Sequence, residues 1–174
     1  IVASASDTHF EFAKYLLGIG QNVLIEKPVT QTYHQALELL GIYRECTPQP
    51  VVMVDHIQLY DPGYQALKLA LGQIGEITGM EFRGLQSSPR TDSSVIENWG
   101  PHPFYLFGDL VGRKPTSLTA RQTANDNVHL VLTYGPQVSG RIDIGSISQH
   151  KRRELTVIGQ RGSLTLDWSG SQKS

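Results

Sequence analysis

Val23-Leu24-Ile25-Glu26-Lys27-Pro28 is the stretch on which the fold turns. Three bulky apolar residues in succession fit a short strand buried on both faces, the kind found in parallel sheets. Lys27 then falls just past the strand's carboxyl end, where open α/β sheets hold their ligands. The ring of Pro28 restricts the lysine further, because it pushes the preceding residue out of the helical region. A charged side chain at so constrained a point is a candidate for chemistry rather than for solvation.

Upstream, Ile1 to Ala5 reads as a short buried strand, and Thr8 to Ile19 as a helix with Phe10, Ala13, Leu16 and Leu17 on one face. Gly18 and Gly20 stop that helix. Gly18-Ile19-Gly20 has the spacing that opens a dinucleotide fingerprint, but it follows a helix and precedes a strand, the reverse of the required order. Downstream, Thr32 and Gln35 fit a capping box before a helix presenting Ala36, Leu37, Leu39, Leu40 and Tyr43. Val51 to Val54 is a third apolar strand. Strands alternating with helix-length segments indicate parallel β-α units with right-handed crossovers.

The pattern changes near residue 57, where a boundary is expected. Asp61-Pro62 starts a helix, with a capping aspartate and a proline in the first turn, and Gly72 is read as its stop after Leu71. Strand signals then dominate: Ile77 to Leu85, Ser117 to Thr123, Val128 to Tyr134, Val138 to Ile147, Leu155 to Gly159 and Ser163 to Trp168. Gly159-Gln160-Arg161-Gly162 reads as a hairpin connection. One helix, from Pro103 to Val111, interrupts them and is apolar nearly all round, so it is expected to be buried. The fold expected is α/β plus α+β: a partial Rossmann-like parallel sheet over 1–57, then a predominantly antiparallel sheet with helices on one face over 58–174.

Fifteen basic against sixteen acidic residues, with no basic block beyond Lys151-Arg152-Arg153, argue against a nucleic-acid partner. Cys46 is the only cysteine, so no internal disulfide can form and a reduced, cytoplasmic setting is the simplest expectation. No apolar run approaches the roughly 18 residues that span a membrane. Ile1-Val2-Ala3 has no basic region before it and no initiator methionine, so it is not a secretory signal. His9, His56 and His102 lack metal-ligand spacing, and no metal is expected. Cys46, near a helix end, is read as a packing residue.

The Glu26-Lys27-Pro28 motif and its surroundings resemble the glucose-fructose oxidoreductase/inositol dehydrogenase/MocA family of NAD(P)-dependent enzymes. The resemblance covers nearly the whole chain but starts at the family's fourth strand. It implies that roughly the first 60 to 70 residues of the family fold, with the glycine loop that holds the pyrophosphate, lie outside this sequence. It implies too that the family fold continues beyond Trp168. This chain alone is therefore expected to bind NAD or NADP weakly.

By the same resemblance, Lys27 sits beside the nicotinamide and hydrogen-bonds the substrate hydroxyl, where an ammonium can stabilise a developing alkoxide. Asn98-Trp99-Gly100-Pro101-His102 resembles the family's Asp-x-Gly-x-His segment, which implies an acid/base or substrate-binding role for His102, with Asn98 as its orienter. A histidine suits proton transfer near neutral pH. Asn98 replaces an aspartate, however, and an amide cannot stabilise an imidazolium by charge. Tyr105 likewise stands where many members carry a second aspartate. Ala5-Ser6-Asp7-Thr8-His9 resembles a Pro-x-x-x-His turn beside the nicotinamide ribose, with Ala5 in place of the proline.

The implied cofactor contacts are Ser4, Ala5, His9, Glu26 and Lys27; the implied catalytic residues are Lys27 and His102; the implied substrate contacts are Lys27, Asn98 and His102. The expected activity is oxidation or reduction of a hydroxyl or keto group on a sugar, polyol or nucleotide sugar. The competing expectation is a non-catalytic fragment serving self-association or binding of a sugar-like ligand. A homo-oligomer through the sheet domain is expected in either case.

Overall fold

The computed structural model describes residues 1–87, 94–123, 127–149 and 151–170. They form two compact units, Ile1–Ile57 and Gln58–Ser174.

In the first unit the helix α1 (His9–Gly18) is followed by strand β1 (Val23–Ile25), helix α2 (Tyr33–Glu45) and strand β2 (Val52–Val54). β1 and β2 are parallel, with Ile25 opposite Val54. The expected strand at Ile1 to Ala5 is reduced to a single parallel bridge from Val2 to Ile25. Val2 donates to Leu24 O at 2.8 Å and accepts from Glu26 N at 2.9 Å. The chain then turns away at once into a 3-10 helix over Ser6–Thr8, whose Thr8 N–H and hydroxyl both go to Ala5 O.

The capping box at Thr32 forms as expected, its side chain accepting from Gln35 N while Gln35 Oε1 accepts from Thr32 N. α2 packs on α1 around Leu17 and Leu39, and Lys14 pairs with Glu38 between the two helices. The buried side of α2 is Leu39 with Ile42 and Tyr43, so Leu37 and Leu40, expected on that side, face outward. At about 100° of rotation per residue, positions 40 and 37 lie roughly 100° and 160° around the helix from Leu39. Cys46 directs its thiol to Leu17 O and Ile42 O, joining the ends of both helices.

The second unit begins with a 3-10 turn at its edge (Ile57–Tyr60), then α3 (Pro62–Ile74) and β3 (Ile77–Leu85). Asp61 caps α3 as expected, accepting from Tyr64 N. The helix does not stop at Gly72. It runs through to Ile74 and ends at Gly75, whose φ of +75° is the left-handed conformation a glycine terminator supplies. Arg161 in the hairpin closes this end, its side chain donating to Gly72 O and its backbone to Ile74 O.

Two helices follow, α4 (Val95–Trp99) and α5 (Pro101–Val111), and then β4 (Ser117–Gln122), β5 (Val128–Thr133), β6 (Ser139–Gly145), β7 (Arg152–Gly159) and β8 (Gly162–Asp167). The six strands form one sheet ordered β4-β5-β6-β3-β7-β8. Every neighbouring pair is antiparallel except β3 with β6. Along each central strand the side chains alternate: Met80, Phe82, Leu130, Leu132, Ile142, Ile144, Leu155 and Val157 are buried, while Glu81, Arg83, Arg141, Asp143 and Glu154 lie on the other face. The helices cover the apolar face.

α5 starts two residues earlier than its sequence pattern indicates, at Pro101, and Phe104 is 37% exposed, so it is not buried all round. Proline suits a first helical position because its missing N–H has no partner there. Two glycines let the aromatic rings of this layer descend onto the sheet. A Cβ on Gly84 would lie 2.6 Å from the Trp99 ring, and one on Gly140 would lie 2.9 Å from the Phe107 ring. Burying rings of this size contributes about 1.5–3 kcal/mol each. Tyr64, fully buried, ties α3 to α5 through its hydroxyl, which donates to Asp109 Oδ2 at 2.7 Å; Lys68 reaches the same oxygen at 2.8 Å.

Candidate functional site

In the first unit the parallel ladder sets the ends of β1 and β2 side by side, with Asp55 N donating to Ile25 O at 2.8 Å. Glu26 and Asp55 therefore leave adjacent strands at the same level, and their carboxyls hydrogen-bond. Burial raises Glu26 above the usual carboxyl range, and the hydrogen bond and charge of Asp55 push it the same way. Burial lowers His56, the next residue along, against the opposing pull of Asp55. Lys27, next to Glu26 in the chain, is half-buried, and the Lys27–Pro28 peptide is cis.

His9 is 2% exposed at the start of α1. Its Nδ1 lies 2.8 Å from Pro28 O and its Nε2 lies 3.0 Å from Ser4 O. Both ring nitrogens are thus turned onto backbone carbonyls, one from the lysine turn and one from the segment that bridges to β1. Ser4 and Ala5 are exposed at the carboxyl end of that segment, with Ser4 Oγ 2.6 Å from Thr8 Oγ1. The structure so brings Ser4, Ala5, His9, Glu26 and Lys27 into one turn system, with Asp55 and His56 beside it.

In the second unit His102 is 6% exposed in the first turn of α5. Its ring meets Trp99 edge-on at 6.1 Å and Tyr105 edge-on at 5.8 Å. Nδ1 lies 2.9 Å from the Tyr105 hydroxyl, which in turn donates to Gln58 Oε1 at 2.6 Å. Gln58 is 5% exposed, in the 3-10 turn before α3. Asn98 is half-buried on α4, its N–H bonded to Ser94 O. α4 itself is nucleated by a capping box between Ser94 and Glu97, whose carboxyl the Ser94 backbone N–H holds below its usual range.

Sequence reasoning missed Gln58 and the partnership of Tyr105 with His102. Tyr105 had a signal, the i to i+3 spacing from His102 on one helix. Gln58 had none, because it lies 47 residues from its partner. The Ser94-x-x-Glu97 cap was legible and passed over. Among the described residues no group of three or more His, Cys, Asp or Glu is disposed to hold a metal ion. No helix among them is long and apolar enough to cross a membrane.

A small parallel α/β unit of Rossmann-like type, followed in the chain by a mostly antiparallel sheet with helices on one face, defines the class of fold. Residues 1–56 match the GFO_IDH_MocA model, described as an oxidoreductase family with an NAD-binding Rossmann fold. Through this segment the chain is similar to the glucose-fructose oxidoreductase/inositol dehydrogenase/MocA family. It is similar to inositol 2-dehydrogenase 2 of Saccharopolyspora erythraea, at 29% identity over 90% of this chain and 56% of that protein. It is similar also to the uncharacterized oxidoreductase YdgJ of Escherichia coli, at 32% identity over 94% of this chain and 51% of that protein. An oxidoreductase candidate of known structure from Magnetospirillum magnetotacticum superposes with a TM-score of 0.88, at 28% identity, over 98% of this chain and 58% of that one. The chain spans a little over half the length of the relatives it matches.

Proposed function

We propose that the full-length protein is an NAD(P)-dependent oxidoreductase acting on a hydroxyl or keto group of a polyol, sugar or nucleotide sugar. The observation that carries this reading is the placement of Lys27. It follows a buried parallel strand directly and is flanked by a hydrogen-bonded carboxyl pair and a histidine-clasped proline. The similarity to an inositol 2-dehydrogenase supports the polyol class.

The residues present fit a nicotinamide. The carboxyl ends of parallel strands are where such ligands lie, and here they carry the exposed Ser4 and Ala5 with the half-buried Glu26 and Lys27. When bound, the nicotinamide supplies hydride exchange. The chain's own residues handle position and proton. The Lys27 ammonium donates to the substrate oxygen and stabilises the charge that develops there. Glu26, Lys27, Ser4 and Ala5 would be the residues that hold the dinucleotide at this turn. His9 acts through the turn, by holding Pro28. Within the second unit, His102 and Asn98 are the candidate contacts for a sugar-like hydroxyl.

The test is dinucleotide-dependent turnover by the full-length protein, with NAD and NADP in turn, across inositols, aldoses, ketoses and nucleotide sugars. Turnover on a polyol or sugar that disappears in Lys27→Ala supports the reading. A folded protein that turns over none of them with either dinucleotide overturns it and leaves ligand binding or self-association in its place.

A further inference from the structure

Arg153 stands on the side of β7 that should be apolar. The strand alternates so that Leu155 and Val157 are buried beneath the helices, and Arg153 shares their side. Its partner across the ladder is Gly84, the glycine that lets the Trp99 ring descend onto the sheet. The guanidinium carbon lies 4.9 Å from the centre of that ring, a cation–π contact. On the opposite face Arg83, Arg141 and Arg152 each meet a glutamate. Among the described residues no carboxylate does the same for Arg153.

The surrounding layer has donors in excess. Trp99 Nε1, Arg153 Nε and Trp168 Nε1 are buried without a hydrogen-bond partner among the described residues. Trp168 belongs to the same row of the sheet, its backbone N–H donating to Arg153 O at 2.8 Å. A buried N–H left unpaired costs about 1–3 kcal/mol, and a cation withdrawn from water needs a counter-charge. What this row lacks is an acceptor, and one that carries negative charge. Arg153 is only half-buried, which leaves part of its side chain open to an incoming group.

We propose that Arg153, braced on Trp99, binds an oxyanion of the substrate, a carboxylate or a phosphate, and so selects acidic sugars or nucleotide sugars over neutral polyols. Either group can take two parallel N–H bonds from the guanidinium fork, which a single hydroxyl cannot. His102 meets the same indole edge-on at 6.1 Å, so the anion sits beside the hydroxyl that His102 contacts. That placement rests on the reading of His102 as a substrate contact, whereas the anion site itself does not.

The experiment is calorimetric titration of the full-length protein, with and without dinucleotide, using D-glucuronate, UDP-glucose and D-glucose. The wild type is expected to bind one of the two charged ligands about tenfold or more tightly than glucose. Glucuronate in that role identifies the anion as a carboxylate, and UDP-glucose identifies it as a phosphate. Arg153→Met keeps an apolar stem against Trp99 and removes the charge. The preference for the charged ligand over glucose should then fall about tenfold, a difference of about 1.4 kcal/mol. A purely structural role would weaken all three ligands together and leave that ratio in place.

Arg153→Lys keeps the charge without the fork and should retain only part of the preference. It also serves if Arg153→Met does not fold. Equal binding of all three ligands by the wild type, or a preference that neither variant reduces, overturns the proposal. Absence of any dinucleotide-dependent turnover defeats the oxidoreductase reading instead, and is distinguishable because the titration needs no activity.

Discussion

His9 and Pro28 are tied by a contact of 2.8 Å between the imidazole Nδ1 and the proline carbonyl oxygen, across nineteen positions of sequence. The other ring nitrogen lies 3.0 Å from Ser4 O. One buried side chain therefore links the lysine turn to the segment that bridges to β1. His9→Ala would leave carbonyls without their partner in a buried place, at a cost of about 1–3 kcal/mol. Hydrogen exchange over residues 1–57 is expected to accelerate while residues 58–170 keep wild-type rates. Unchanged protection at the Glu26 to Pro28 turn would show that the clasp holds nothing in place.

Lys27 is the residue on which turnover should depend most. In active full-length protein, Lys27→Ala is expected to lower kcat by about 100-fold or more, as loss of a preorganised donor to a developing charge does. Lys27→Arg should not restore it, because a planar guanidinium does not fit where a compact ammonium is held by a strand end and a proline. Steady-state kinetics of both variants decide the matter, and near-normal kcat in either removes Lys27 from the chemistry.

The Glu26–Asp55 pair makes the first unit sensitive to pH. Burial, reinforced by Asp55, raises Glu26 above its ordinary value of 4.5, so the folded chain keeps a proton that the unfolded chain has released. Between those two values the folded state binds more protons, and stability must fall as pH rises. The contribution is complete below the ordinary value and is lost as pH climbs through the raised one. Hydrogen exchange over residues 1–57 should show faster global opening at about pH 8 than at about pH 5, after correction for intrinsic rates. Asp55→Asn should flatten that dependence; an equally steep profile in the variant would mean that the pair does not share the proton.

The polar face of the second-unit sheet is a lattice of opposite charges. Arg141 lies 3.4 Å from Glu81, and Arg83 lies 3.8 Å from Glu154. A lattice with both signs interspersed can match a second copy of itself about a two-fold axis. Self-association through this face is the expectation. Light scattering should give a dimer or larger species for the wild type and a shift toward monomer for Arg141→Glu paired with Arg83→Glu. A wild-type monomer at low micromolar concentration, or an assembly indifferent to both reversals, counts against the face.

Much of this protein follows from local sequence. Val23 to Ile25 is a strand because three bulky apolar residues suit a site buried on both faces, and Thr32 with Gln35 starts α2 because their side chains satisfy the first amides. Asp61-Pro62 and the alternation through Met80 and Phe82 are local in the same sense. The lysine turn was legible for that reason, since strand, charge and proline are consecutive. Other features are decided only when distant segments meet. α3 passes Gly72 because Arg161, far along the chain, donates to that carbonyl, and Ile1 to Ala5 yields one bridge because the following residues turn away to seat His9. Leu37 and Leu40 are apolar yet exposed, for the side of α2 that is buried is set by where α1 lies. The setting of His102 belongs to this second group. Its residue type and position were readable in the sequence, but its neighbours were not, because only the tertiary fold brings Gln58 within reach of Tyr105.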